Sequence, residues 1–63
     1  MIRIMGKLKT EKKYKGFDYH NGTFESKIIH QTLWGNEHKE YVKGLVEHMN
    51  NYNKDYIFKI DKI

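Results

Sequence analysis

Hydrophobic and polar positions alternate with period two in three stretches of the chain and with period near 3.6 in one. From Met1 to about Lys9, Ile2, Ile4 and Leu8 fall on one side, with Gly6 in register. Arg3, Met5, Lys7 and Lys9 fall on the other. That alternation predicts a half-buried strand with a basic outer face. Thr10 to Lys13 is polar and predicts a turn. Tyr14 to Gln31 carries the strongest local signal, because Asn21-Gly22 separates two alternating runs. Such a dipeptide predicts a two-residue hairpin turn in which both residues have positive φ. Tyr19 would then face Phe24, Phe17 would face Ser26, and Lys15 would face Ile28. The third strand is expected to run on towards Leu33, with a bend or bulge near residues 29–31.

The helical stretch follows. Tyr41, Val42, Leu45, Val46, Met49 and Tyr52 form a stripe at helical spacing, opposite Lys39, Lys43, Glu47 and Asn50. Asn36 is the expected N-cap. The Asn-rich stretch 50–53 is the expected C-terminal end, with Asn in the left-handed conformation. Tyr56 to Ile63 alternates again and predicts a last strand beside the first one or at the sheet edge. The expected fold is α+β in the order β-β-β-α-β: a small, mostly antiparallel sheet with one helix on one face. Its core would be Ile2, Ile4, Leu8, Phe17, Tyr19, Phe24, Ile28, Val42, Leu45, Met49, Phe58 and Ile60.

Length limits this picture to a single domain spanning residues 1–63. Such a chain hides only about 60% of the surface its unfolded form exposes. The chain has no Cys, so neither a disulfide nor a thiolate metal site can support it. Nine aromatic residues must supply the stability, alone or with a partner. Apolar runs are too short for a membrane span, and no basic-then-apolar leader opens the sequence, so a cytoplasmic location is expected.

Little catalytic chemistry is legible. His20, His30, His38 and His48 show no i, i+4 pair, so no metal site is expected. Ser26 is the single serine and sits in no nucleophile context, and the five glycines form no phosphate-binding motif. The chain is expected to be non-enzymatic and free of cofactors.

Two kinds of surface remain. Eleven Lys and one Arg against eight carboxylates give a formal charge of +4. Arg3, Lys7, Lys9, Lys12, Lys13 and Lys15 lie within thirteen residues and could follow a phosphate backbone. The opposing candidate is apolar: Trp34, Tyr14, Ile29, Ile57 and Ile63, on or beside a sheet face that one helix cannot cover. It would suit a protein partner or a homodimer. Lys, Asn, Ile, Tyr and Phe make up 31 of the 63 residues, the signature of an AT-rich genome. The first expectation is therefore a phage or mobile-element accessory factor that inhibits a host or defence protein by direct contact. The alternative is a basic nucleic-acid-binding module using the N-terminal strand and loop.

Overall fold

The computed structural model describes all residues, Met1–Ile63. Five strands and one helix appear in chain order: β1 (Ile2–Leu8), β2 (Lys15–Asp18), β3 (Thr23–Phe24), β4 (Leu33–Trp34), α1 (Lys39–Tyr52) and β5 (Tyr56–Lys62). Short 3₁₀ turns at Ile28–His30 and Asn36–His38 flank β4. The small α+β fold expected from the alternation is present, with an additional short strand before the helix.

β1 is the centre of the sheet. β5 pairs antiparallel with its full length, from Ile2↔Lys62 to Leu8↔Tyr56. β2 and β4 share its other edge in tandem, β2 at Met5↔Gly16 and Gly6↔Lys15, β4 at Ile2↔Trp34 and Arg3↔Leu33. β2 leaves β1 where β4 takes over. Thr32 fills the fork: its N–H donates to Phe17 O (3.3 Å), and its Oγ1 accepts from Tyr19 N (3.0 Å).

The inner face follows the period-two reading. Ile2, Ile4 and Gly6 are buried, and Phe17 of β2 and Phe58 of β5 join them. The helix sets Val42 and Val46 on this face, one turn apart, with Leu45 and Met49 half-buried beside them. Ile4 and Val42 are fully buried and mark the middle of the core. Gly6 is required by close approach, since a Cβ there would overlap the Phe58 ring. Phe17 meets Phe24 and Phe58 edge to face, at 5.2 and 5.3 Å between ring centroids. Such pairs add to the area the rings bury.

Several expectations are corrected. The hairpin pairs Phe17↔Phe24 and Asp18↔Thr23, so its loop is four residues, Tyr19–Gly22. Only Gly22 has positive φ (69°), and its N–H donates to Asp18 O (2.8 Å). The Asp18 carboxylate holds this turn. Oδ1 accepts from the His20 and Asn21 amides, and Oδ2 from Asn21 Nδ2 at 2.6 Å. The register differs from expectation by two residues, which leaves the four paired side chains on the faces anticipated. The third strand ends at Phe24. Ile28 is exposed rather than core, because the chain lifts off the sheet into the 3₁₀ turn. Leu8 is half-buried and outside the core cluster, and Val46 takes a core place instead. Asn36 makes no capping bond: the chain enters the helix through the 3₁₀ turn 36–38. Asn53 is extended, not left-handed, and closes the helix by donating from N and Nδ2 to Met49 O, both at 3.0 Å. Tyr41 and Tyr52 of the stripe face solvent.

The outer face is not bare, as the one-helix layer had suggested. Gln31 lies over Gly16, where a Cβ would overlap its carboxamide. Its Nε2 donates to Glu25 O (2.8 Å), and its Oε1 accepts from Arg3 Nη1 (2.9 Å). Arg3 also pairs with Asp61 at 2.9 Å. Every strongly buried side-chain polar atom has a partner.

The outward edge of β5 is closed at one rung by the helix. Phe58 N–H donates to Asn50 Oδ1 (2.8 Å), and Asn50 Nδ2 donates to Phe58 O (3.0 Å). The carboxamide thus stands where a neighbouring strand's peptide would. Asn50→Ala is expected to cost about 1–3 kcal/mol, because both Phe58 backbone groups lose their partner. Urea unfolding measures that loss, and hydrogen exchange at the Phe58 amide should accelerate. The opposite sign is expected at Gly44, where an added Cβ meets open space. Gly44→Ala should stabilise the helix by about 0.8–1.0 kcal/mol, read as a higher urea midpoint.

Candidate functional site

The turn joining β1 to β2 is organised by Glu11. Its N–H donates to Leu8 O (2.9 Å), its Oε1 accepts from Leu8 N (3.0 Å), and its carbonyl accepts from Lys7 Nζ (2.9 Å). Lys15 Nζ stands 3.5 Å from Oε2. The Leu8 amide bond, then Lys15 and Lys7, hold the Glu11 carboxyl below the ordinary carboxylate range, against opposing desolvation. With its one acid engaged by the backbone, the turn presents Lys12 and Lys13 to solvent.

β5 brings further cations to the same end. Lys9 N–H donates to Asp55 O at 2.8 Å, which anchors the segment leading into β5 beside the turn. Lys54 lies in that segment. Lys59 is paired with Met5 on the outer face, where its Nζ sits 4.3 Å from the centroid of the Tyr14 ring. Lys7 Nζ approaches the same ring at 5.1 Å. Both are cation–π contacts. Seven of the twelve cations (Lys7, Lys9, Lys12, Lys13, Lys15, Lys54 and Lys59) therefore share one end with two carboxylates, Glu11 and Asp55. That local balance of +5 exceeds the +4 of the whole chain, and the rest of the molecule carries −1.

A cleft of about 400 Å³ opens on the inner face next to this end. The helix lies over β1 and β5, so the aromatic residues of the hairpin are left beside it rather than beneath it. Met49 and Asn53 form the helical wall. Phe17, Phe24, Tyr56 and Phe58 supply the aromatic lining. Phe24, Tyr56 and Phe58 are stacked within 24° of parallel, at 5.6–6.3 Å between centroids. Beyond Phe24 a second hollow of about 430 Å³ is lined by Lys15, Glu25 and Ser26.

The residues singled out by sequence divide as follows. Lys7, Lys9, Lys12, Lys13 and Lys15 come together, whereas Arg3 is tied to Asp61 and Gln31 farther along the sheet. The apolar set does not form one patch. Tyr14 and Ile57 share the outer face near Lys7. Trp34 points to the inner face opposite Ile2, packs on the core, and meets Tyr19 edge to face at 6.1 Å. Ile29 is 79% exposed on the 3₁₀ turn, and Ile63 lies at the far end of the sheet, bonded to Met1 O. Lys54, Lys59 and the aromatic cleft were missed. The period of residues 56–62 places Lys59 outward, but its neighbours appear only once β5 is paired with β1.

No group of three or more His, Cys, Asp or Glu side chains is arranged to hold a metal ion. No helix is long and apolar enough to cross a membrane. No family model, curated protein or solved structure matches the chain.

Acid should loosen the hairpin that forms one side of the cleft. Its bond from Asn21 Nδ2, opposed by desolvation and reinforced by the Asn21, Thr32 and His20 donors, holds the Asp18 carboxyl below its ordinary 3.8. A carboxyl depressed in the folded state stabilises it above the unfolded value, and that contribution is lost as pH falls through the folded value. The amide resonances of His20 and Asn21 should therefore titrate together with a midpoint below 3.8. A midpoint above 3.8 would show that the turn bonds do not favour the ionised form.

Proposed function

We propose that the protein is a non-enzymatic binding module that takes nucleic acid on its lysine-rich end. One observation carries the reading: the net positive charge of the molecule gathers at the β1–β2 turn and along β5, around one engaged glutamate. Flexible lysines without a fixed arginine fork suit contacts to phosphate more than bidentate reading of bases. The expected recognition is electrostatic and tolerant of sequence, with dissociation constants of about 10⁻⁴–10⁻⁶ M at physiological salt. Anisotropy titration of labelled mixed-sequence DNA and RNA tests this. Binding at low salt that weakens linearly on a log–log plot supports it, and absence of binding at low salt overturns it.

A second reading, inhibition of a host or defence protein by direct contact, is favoured by the outer side of the helix. Tyr41 is 60% exposed and Tyr52 77%, and the Tyr52 ring lies 4.5 Å from that of His48. These three residues sit at spacings of seven and four, on one side of α1. Tyrosines in this setting are typical interface anchors. A protein captured by the native chain and lost with Tyr41→Ser/Tyr52→Ser would support this reading. Capture unaffected by the double substitution would oppose it.

A further inference from the structure

We propose that the aromatic cleft between the hairpin and the C-terminal part of α1 is a base-binding subsite for single-stranded nucleic acid; this rests on the nucleic-acid reading of the lysine-rich end. The cleft, at about 400 Å³, lies within the size range of small-ligand sites. Phe24 and Tyr56 present near-parallel rings to it, both stacked with the buried Phe58, a lining that suits a flat aromatic guest. Phe24 and Tyr56 are only half-buried although they pack on the core, so ring surface remains accessible.

Charge decides the kind of guest. Lys9 is bonded to Asp55, the residue before Tyr56, and Lys54 precedes it. Lys15 lines the hollow on the other side of Phe24. A ligand lying on these rings therefore has cations on two sides, with Asp55 and Glu25 as the nearby acids. A planar base joined to phosphates satisfies both features, whereas an apolar peptide side chain uses only the first. Duplex DNA keeps its bases stacked and cannot supply one to the cleft, so the occupant is a single strand.

The test is methyl NMR of the full chain with a mixed-sequence DNA single strand, the same sequence as a duplex, and a free nucleoside monophosphate. Met49 reports on the cleft and Met5 on the outer face. The single strand should shift the Met49 methyl, while the duplex binds through the lysines and leaves Met49 unmoved. Phe24→Leu should weaken single-strand binding by about tenfold, in line with loss of one base–aromatic stack, and change duplex affinity less than twofold. Should that variant fold poorly, the Met49 shift of the native chain decides alone. Equal Met49 shifts with strand and duplex, or none with the strand, overturn the subsite while leaving electrostatic binding intact. A shift with the monophosphate but not the strand assigns the cleft to free nucleotide and also overturns it. Absence of binding by both polymers at low salt overturns the underlying reading as well.

Discussion

Phe58→Ala is expected to leave the chain largely unfolded at 25 °C. Removing a buried Phe costs about 3–5 kcal/mol. A core in a chain this short rarely supplies more than about 3–5 kcal/mol in total. Phe58 is 6% exposed and joins three parts of the structure. Its ring lies over Gly6 on β1, meets Phe17 of β2 edge to face, and stacks with Phe24 of β3. Its backbone is bridged to α1 through Asn50. Truncation therefore opens a cavity where sheet, hairpin and helix meet, and glycine at position 6 cannot fill it. Circular dichroism in a urea series measures the effect. Loss of the cooperative transition is the expected result. A full transition with stability lowered by less than about 1 kcal/mol would show that the neighbouring rings collapse into the space. Phe58→Leu keeps most of the volume and should retain a cooperative transition.

Neutralising Lys9, Lys12, Lys13 and Lys54 to Gln should largely abolish nucleic-acid binding at physiological salt. If each of the seven clustered lysines neutralises one phosphate of a single strand, log Kobs against log salt has a slope of about −5. Affinity then falls by about 10³ between 50 and 200 mM salt. Four neutralisations should reduce the slope by about 3, leaving a fall of about 20-fold over the same interval. The informative control removes four charges elsewhere: Lys27, Lys39, Lys43 and Lys62 to Gln. Both variants have the same net charge, but only the first dismantles the cluster, so the control should keep nearly the full slope. Equal loss in the two variants would mean that net charge, not its placement, governs binding. All eight positions are exposed, where substitutions typically change stability by about 0.5 kcal/mol or less.

Periodicity carried β1, the helix and β5, because in each the apolar positions face one packed layer. The helix stripe contained Val42, Leu45, Val46 and Met49, all of which turn inward. The hairpin was legible in place but not in register. Asn21-Gly22 favours a two-residue loop locally, but the Asp18 carboxylate gathers the His20 and Asn21 donors and also lies 3.3 Å from Thr32 Oγ1, its donor fourteen residues on. No local rule contains that last contact. Ile28 and Ile29 were misplaced because alternation alone cannot show that Gln31 spans Gly16 and lifts the preceding segment. For the candidate site, five of the seven lysines were visible as a run, whereas Lys54 and Lys59 join them only through the pairing of the last strand with the first. The cleft was invisible for the same reason: its rings come from residues 17–24 and 56–58 and its wall from the helix.

The pairing of β1 with β5 also sets the order in which the molecule can assemble. Its rungs join residues 48 to 60 apart, from Leu8↔Tyr56 to Ile2↔Lys62, in a ladder that closes nearly the whole chain. Such high contact order slows folding, because a large loop must close before any of these bonds forms. During synthesis β1 emerges before β5 and waits for its residues with one edge unpaired, while α1, whose bonds are local, can form early. The lysines on and beside β1 then have a further consequence: an exposed ladder that carries repelling charge is a poor template for the same strand of another nascent chain.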